Sequence, residues 1–442
     1  MPLVALPGHP EPSLSLLTRD ATPEELIEAA ALNHVDWFTA EATVAGGQVR
    51  CDDGLTFIHS PAANPDAAGE AILAFPRMSA TTADAAIDQA VSEARQLGVR
   101  QVACWSLLPA EPTDLGARLV ARGFQWGWQP HWMALDLSRE RPADFPLPDG
   151  WRIALDDESD WDAEGLPYYD RANAARLRAH ARRRPRRTYH FGARLGDILV
   201  GHSLLHVSTG PLGVAGLYAV GVVPDARNKG VGRAVSLAAC QFARALGCRY
   251  VLLNAATHIY ERLGFASLGY GQTWWMHRPA LEAPPPSPAL VAFTEAVGRG
   301  DTGALGALPQ NALPADLDAA LPCGMTPLEV AARLGQPRAA EWLLGLGASC
   351  DVIPLCDLGW RDRVPSALAA RPDLASRRRG EWGLTPLHEA AARGDVELAR
   401  WLLAAAPDLS IEDAQFHSTA LGWARHLGRE EIVRLIEAHA AG

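Results

Sequence analysis

The chain has 442 residues, of which 48% are hydrophobic and 21% charged, and its 51 acidic and 40 basic side chains give a net charge of −11. This composition is typical of a folded globular protein, and the length predicts two to four domains. No apolar run reaches 18 residues and no basic leader precedes one, so we expect no membrane span or secretion signal and favour a cytoplasmic protein. Seven scattered cysteines without a C-x-x-C pair argue against a disulfide framework and against a metal site.

The first recognisable pattern is an alternation of strands and helices in the N-terminal third of the chain. Apolar spacing predicts a strand over 71–75, a helix over 82–97, a strand over 101–105 and a helix over 115–122 that ends at Gly123-Phe124. This segment is acidic, like the last third of the chain. Residues 151–280 are the exception, because they hold 17 basic against 10 acidic side chains.

Eight arginines of this basic segment lie between Arg171 and Arg187. They form either a solvated helix face or a patch that meets an anionic acceptor, an acidic neighbouring domain or nucleic acid. The aromatic side chains that interleave with basic ones on base-stacking surfaces are missing here, so nucleic acid is the least favoured of these partners.

Within the basic segment, a strand from Leu217 to Val223 runs into an Arg-x-x-Gly-x-Gly turn that opens a helix from about Gly230 to Ala245. The first backbone N–H groups of a helix lack partners and its aligned dipoles make that end electropositive, so an anion binds there favourably. Gly230 and Gly232 let a ligand approach the backbone closely. Lys229, the chain's single lysine, adds charge at the rim.

Downstream, a strand over 250–253 leads to Asn254 and to a short helix from His258 that ends at Gly264-Phe265. An aromatic strand follows and ends in Trp274-Trp275-Met276. The order from residue 217 onward is therefore strand, glycine-rich loop, helix and strand, followed by a short helix that carries Tyr260.

These motifs resemble the GCN5-related N-acetyltransferases, the GNAT superfamily, over roughly residues 150–280. The resemblance implies an acetyl-CoA co-substrate whose pyrophosphate lies on the glycine loop, and a phenol, Tyr260, that protonates the departing CoA thiolate. It implies no metal. The residues that it assigns to acetyl-CoA binding are Val222, Val223, Arg227, Asn228, Lys229, Gly230, Val231, Gly232, Arg233 and Asn254.

The implied reaction is direct transfer to an amine, since neither motif contains a cysteine that could carry the acyl group. The general base stays open among His202, His206, Tyr218, Asp225 and a water chain. An ordinary glycine-rich helix start is the alternative for the loop, and a packing role is the alternative for Tyr260. No residue type identifies the acceptor or the length of the acyl chain.

The N-terminal segment repeats the same pattern in a degenerate form. Gly123-Phe124 stands 141 residues before Gly264-Phe265, and Trp132-Met133 echoes the later aromatic strand. The equivalent of the phosphate loop, residues 75–80, contains no glycine, and Leu119 stands where the active half has Tyr260. We expect a tandem duplication whose first half packs on the second and helps to form the acceptor cleft, with coincidental similarity as the alternative.

After a proline-rich linker, the last third of the chain contains a repeat. Gly324-Met325-Thr326-Pro327-Leu328 and Gly383-Leu384-Thr385-Pro386-Leu387-His388 resemble the opening of an ankyrin repeat, and weaker echoes at Ile353 and Thr419 extend the array. We expect a first helix pair over 290–308 and four to five units in all. Such a stack binds a protein partner, packs on the enzyme or mediates self-association.

The sequence thus predicts an α/β, or α+β, tandem GNAT region followed by an all-α ankyrin solenoid. The expected domains are a degenerate half at 1–145, an active half at 146–280, a linker at 281–288 and ankyrin repeats at 289–442. The expected function is a bacterial, acetyl-CoA-dependent N-acetyltransferase acting on a primary amine. The alternatives are an enzyme that acetylates proteins recruited by the ankyrin groove, and a non-catalytic acyl-CoA-binding adaptor.

Overall fold

The computed structural model describes residues 14–62, 67–139, 150–156, 166–167, 171–255, 259–309, 313–380, 382–414 and 416–441. The chain forms two compact units. The first comprises residues 1–112 and 127–281, and the second comprises residues 113–126 and 282–442. None of the helices in the described part of the chain has the length and apolar character that a membrane crossing requires.

The strands of the described residues are β1 (Gln48–Asp52), β2 (Leu55–Ser60), β3 (Glu70–Ala74), β4 (Gln101–Leu107), β5 (Gln125–Trp126), β6 (His131–Asp136), β7 (Trp151–Leu155), β8 (Thr188–Leu195), β9 (Ile198–Val207), β10 (Ala215–Val222), β11 (Tyr250–Ala255) and β12 (Ala266–His277).

The helices are α1 (Pro23–Val44), α2 (Ala83–Gln96), α3 (Leu115–Ala121), α4 (Arg171–Arg182), α5 (Val231–Ala245), α6 (Arg278–Glu282), α7 (Pro288–Arg299), α8 (Thr302–Ala307), α9 (Pro327–Arg333), α10 (Pro337–Gly345), α11 (Val352–Asp357), α12 (Val364–Ala370), α13 (Pro386–Arg393), α14 (Val396–Ala404), α15 (Ala420–His426) and α16 (Glu430–Ala441). Short 3-10 turns lie at Pro224–Ala226, Glu261–Leu263, Arg361–Arg363 and Pro372–Ser376.

One mixed sheet organises the first unit, in the order β1-β2-β3-β4-β12-β6-β11-β10-β9-β8-β7. Two parallel pairs lie within it: β3 with β4, connected by α2, and β10 with β11, connected by α5. The remaining pairs are antiparallel. Each predicted half therefore contains a parallel strand-helix-strand motif, and the predicted α/β class is confirmed for this part of the chain.

The two halves exchange their last strands. β6, from the first half, pairs with β11 of the second, and β12 pairs with both β6 and β4. The predicted boundary between 145 and 146, which lies outside the described residues, therefore does not separate two independent units, because each half completes the other's sheet.

The two faces of this sheet are covered by different helices. α5 buries Val235, Ala238 and Phe242 in a large apolar cluster with β8, β9 and β10. On the opposite side lies α1, which the sequence analysis did not predict. Thr22 opens α1 through a capping box with Glu25, and Pro23 occupies the first helical turn, so the start of this helix is specified locally.

The second unit is helical throughout most of its described residues, as expected for the ankyrin region. The predicted first pair is α7 with α8, and pairs α9/α10 and α13/α14 follow the two clear repeat motifs. Thr326 caps α9 in a capping box with Glu329. At the equivalent place in the next clear repeat, Thr385 Oγ1 lies 2.8 Å from His388 Nδ1, and His388 Nε2 donates to Ser418 O at 3.1 Å, which ties one repeat to the next.

Helix α3 lies in the second unit, although its residues fall within the predicted segment 1–145. It packs along α7, where Arg122 Nη1 donates to Glu295 Oε1 at 2.8 Å and Asp114 pairs with Arg299 at 2.7 Å. Only about a tenth of the Arg122 and Glu295 side chains is exposed. This helix therefore packs at the end of the ankyrin stack, together with α7 of the second unit.

Candidate active site

β10 and β11 are neighbouring strands inside the sheet, and they stop pairing toward their carboxyl-terminal ends. Their parallel pairing covers only Ala215 with Val251 and Gly216 with Leu252, although β10 continues to Val222 and β11 to Ala255. Beyond this point no further residues of the two strands are paired with each other. Buried backbone N–H and C=O groups require partners, so an extended ligand fits between these strands.

A β-bulge in β10 accounts for this divergence. On its other side, β10 pairs with β9 through Tyr218 and Leu204 and then through Gly221 and His202, so one extra residue is inserted in β10. Ala219 lies in the bulge with φ +47°, a left-handed conformation that alanine rarely adopts. Bulges bend a strand away from its neighbour and recur next to functional sites.

The glycine loop follows β10 at its carboxyl-terminal end. Val223 N donates to Val200 O at 3.0 Å, which extends the β9 contact by one residue, and Arg227 Nε donates to Val222 O at 3.3 Å, which closes the turn. Gly230, with φ +82°, is the N-cap of α5 and carries no capping side chain. The first N–H groups of α5 therefore point out of the helix at the end of the gap.

The predicted loop residues differ in what they expose. The side chains of Arg227, Asn228, Lys229 and Arg233 are exposed, which suits the rim of an anion site. The side chain of Val231 is 3% exposed and packs in the core, so this residue offers only its backbone. A Cβ on Gly201 would lie 2.7 Å from Val231 Cγ1, so this glycine in β9 makes room for the start of α5.

Asn254 and Tyr260 lie at the end of β11, on the same edge as the loop. Asn254 is half-buried and pairs with Trp132 of β6. Tyr260 is half-buried beside Phe265, with the ring centroids 5.9 Å apart in an edge-on arrangement. Tyr260 precedes a 3-10 turn, Glu261–Leu263, rather than lying in the predicted helix from His258, and residues 256–258 are outside the described part.

The structure thus brings the predicted site residues to the carboxyl ends of two diverging parallel strands, where α/β folds bind ligands. The loop and the start of α5 follow β10, Asn254 lies near the end of β11, and Tyr260 follows β11. The individual roles of these residues stay predictions.

Three of the four residues considered as a general base lie on the sheet face opposite α5, where His202 and His206 are buried and Tyr218 is half-buried. Both ring nitrogens of His206 are engaged: Nε2 lies 3.0 Å from Asp36 Oδ2 and Nδ1 lies 2.9 Å from Thr188 Oγ1. His202 Nε2 lies 2.8 Å from Pro167 O, and burial lowers the pKa of His202 to about 4.

Burial also lowers the pKa of His206 and, together with the charge on Asp36, raises the pKa of Tyr218 well above its usual value. The Tyr218 hydroxyl is therefore protonated and acts as a donor at neutral pH. These surroundings disfavour His202, His206 and Tyr218 as the base, whereas Asp225 is exposed in the turn before the loop.

The sequence analysis missed the residues of α1 that reach this face. Asn33 accepts a hydrogen bond from Tyr218 Oη at 2.5 Å, Asp36 binds His206 and Arg187, and Trp37 stacks on Tyr218. Asp36 and Trp37 follow Asn33 by three and four positions, so they lie on the same side of the helix as Asn33. The capping signal at Thr22 was the available clue to this helix.

The loop of the first half is closed, as its lack of glycine predicts for a degenerate site. Arg77 N donates to Gly54 O at 2.8 Å, so the β1–β2 turn lies on the loop, and a Cβ on Gly54 would stand 2.0 Å from Arg77 O. Arg77 also pairs with Glu28 of α1.

Other reactive groups are absent from the described part of the site region. Cys240 of α5 and Cys248 are buried, and burial raises the pKa of each thiol to about 12. Neither is placed to serve as an acyl carrier. No group of three or more His, Cys, Asp or Glu side chains that could hold a metal is found among the residues that the structure describes.

Two curated proteins named mycothiol acetyltransferase match parts of the chain: that of Saccharopolyspora erythraea is 40% identical over 62 residues, and that of Geodermatophilus obscurus is 36% identical over 89 residues. The matched segments cover 13% and 18% of this chain and only 20% and 29% of those relatives.

Solved structures that match the chain include a GCN5-related N-acetyltransferase from Kribbella flavida and a tandem GNAT protein from the clavulanic acid biosynthesis pathway. They are 16% and 17% identical, cover 56% and 57% of this chain and 95% of their own, and each has a TM-score of 0.40.

The family models match the two kinds of region separately. Residues 323–353 and 382–414 match the ankyrin repeat, and residues 151–265 match the Acetyltransferase (GNAT) family. The latter range includes β10, the glycine loop, α5, β11 and Tyr260. The chain therefore carries a domain of the GNAT acetyltransferase family followed by ankyrin repeats.

Proposed function

We propose that the protein is an N-acetyltransferase that moves an acetyl group from acetyl-CoA to a primary amine by direct attack. The separation of β10 from β11 carries this proposal, because it opens an extended slot that ends at the start of α5. The pantetheine arm would pair with the side of the β10 backbone that faces β11, near Val222 and Val223, and the pyrophosphate would lie on the loop from Arg227 to Arg233.

The chemistry needs little else from the protein. The amine nitrogen attacks the thioester carbonyl, the N–C bond forms, and fixed N–H donors of β10 stabilise the oxyanion. Collapse of this intermediate breaks the C–S bond, and Tyr260 gives its proton to the sulfur. An acid of this kind contributes roughly 10²- to 10⁴-fold in rate. The amine proton leaves through Asp225 or water, since the buried histidines are engaged elsewhere.

Calorimetry with acetyl-CoA, followed by a thiol-release assay over a panel of primary amines, tests this function. Because two relatives are named for mycothiol, the panel includes the amine that acetylation would convert into mycothiol. Tyr260→Phe is expected to bind acetyl-CoA within about twofold of wild type and to lose roughly 10²-fold or more in kcat. A wild-type protein that fails to bind acetyl-CoA would rule out the enzyme.

The ankyrin repeats support a second component of the function, the binding of a protein partner. If that partner is the acceptor, acetylated lysines will appear on a captured protein while the amine panel stays inactive. Binding of acetyl-CoA with neither outcome would favour the non-catalytic adaptor. The cysteines of the described residues are all free, which supports a cytoplasmic location.

A further inference from the structure

Asn33 of α1 is completely enclosed, with 1% of its surface exposed, and its side-chain amide is used in full. Nδ2 donates to Val214 O at 3.0 Å, to Ser208 Oγ at 3.0 Å and to His206 O at 3.3 Å. Oδ1 accepts the hydrogen bond from Tyr218. One residue of the first half thus holds both strands of the β9–β10 hairpin in the second half.

These contacts lie where β10 leaves β11. Gly216 is the last residue of β10 that pairs with β11, and a Cβ built on it would stand 2.0 Å from Asn33 Oδ1 and 2.8 Å from Tyr218 Oη. The Asn33 amide and the Tyr218 phenol therefore occupy the space above Gly216. The next residue after Tyr218 is Ala219, whose left-handed backbone makes the bulge.

A strained bulge persists only when its surroundings determine it. A non-glycine residue in the left-handed region costs on the order of 1–3 kcal/mol. The Tyr218 ring is fixed on both sides, because it stacks on Trp37 with centroids 5.2 Å apart and planes at 19°, and its hydroxyl is bound to Asn33. The conformation of β10 at the bulge is therefore coupled to α1.

We propose that Asn33 and Tyr218 are positioning residues that keep β10 bulged and apart from β11, so that α1 of the first half sets the width of the slot in the second. The part of this inference that concerns acetyl-CoA rests on the proposed function. The degenerate half would then help to bind the ligand by positioning β10, although it has neither a glycine loop nor an equivalent of Tyr260.

The test is Tyr218→Phe, which removes one hydroxyl and keeps the ring stacked on Trp37. Its matched control is Tyr189→Phe, because Tyr189 is also buried in this sheet and donates to Arg186 O at 3.0 Å, away from the slot. Affinity is measured for acetyl-CoA and for ADP, which offers a pyrophosphate without a pantetheine arm. Amide hydrogen exchange is followed over residues 217–222.

Tyr218→Phe is expected to weaken acetyl-CoA by about tenfold, or about 1.4 kcal/mol, to leave ADP within about twofold, and to speed exchange over 217–222. Tyr189→Phe is expected to leave the affinity for acetyl-CoA, the affinity for ADP and the exchange rate over 217–222 unchanged. Asn33→Ala should weaken acetyl-CoA binding and speed exchange over 217–222 more than Tyr218→Phe does. If Asn33→Ala does not fold, the result for Tyr218→Phe alone tests the inference.

Equal weakening of both ligands, or unchanged exchange over 217–222, would overturn the inference, since either result reduces the contact to ordinary packing. If wild type binds no acetyl-CoA, the proposed function fails on its own. The exchange measurement then still decides whether Asn33 and Tyr218 hold the bulge.

Discussion

The two glycines of the phosphate loop are expected to respond to alanine in opposite ways. Gly230 has φ +82°, a conformation in which an L side chain costs about 1–2 kcal/mol, so Gly230→Ala should destabilise the protein by that amount. Gly232 lies within the first turn of α5, and a Cβ there would meet Val222 Cγ2 at 3.5 Å, an ordinary contact. Because alanine favours a helix over glycine, Gly232→Ala should stabilise the protein by about 0.5–1 kcal/mol.

Ligand binding is expected to fall in both variants, because each added methyl group would stand where the proposed function places the phosphate oxygens at the helix end. We expect Gly232→Ala to bind acetyl-CoA at least about tenfold more weakly, a loss of about 1.4 kcal/mol, while unfolding at higher urea concentration. Gly247→Ala, at the other end of α5, is the control: its φ is +89° and the nearest atom is Leu16 Cδ1 at 4.0 Å. It should lose stability and keep its affinity. Unchanged acetyl-CoA affinity in Gly232→Ala would refute the assignment of the loop.

Two further outcomes concern stability. Burial lowers the pKa of His34 to about 3, below the value near 6.5 of the unfolded chain, so the unfolded state takes up more protons below pH 6.5 and stability falls as the pH falls. Between pH 7 and pH 5 this residue should cost about 2 kcal/mol, and urea titrations of His34→Leu should show a correspondingly flatter pH dependence; an unchanged slope would contradict it. In the second unit, Arg122→Met removes one of the two arginines that pair with the enclosed Glu295, while Arg299 stays at 2.8 Å, and should cost about 2 kcal/mol in urea unfolding. The equivalent change at the exposed pair of Arg400 with Glu431 should cost less than about 1 kcal/mol, and equal losses would argue against a buried role for Arg122.

The elements with strong local signals were predictable. The helix after the glycine loop and the strands on either side of it agree with the prediction to within two residues, because β-branched runs, glycine and proline mark their ends. The same applies to the ankyrin helices that begin at Thr326 and Thr385. These signals act between neighbours in the chain.

The tertiary features were not predictable in this way. The buried residues of α1 lie on more than one side of the helix and many of them are alanines. Its apolar residues therefore do not form one clear stripe in the sequence. The exchange of β6 and β12 is invisible in the sequence because both strands carry a similar aromatic pattern that suits either neighbour. The residue with positive φ in the bulge is Ala219 rather than a glycine, so the sequence does not mark this position. The conformation of Ala219 is determined by the packing of β10 against α1.

The exchanged strands have a consequence for how this protein can be divided. A fragment that begins at residue 146 would contain the matched family segment and the glycine loop but would lack β6, which lies between β11 and β12. Both strands would then present unpaired edges, the usual starting point for aggregation. The transferase half is therefore not expected to fold when it is moved to another protein by itself. A truncated, fused or recombined protein must contain residues from both halves, so the gene segment for the inactive half has to be kept with that for the active half.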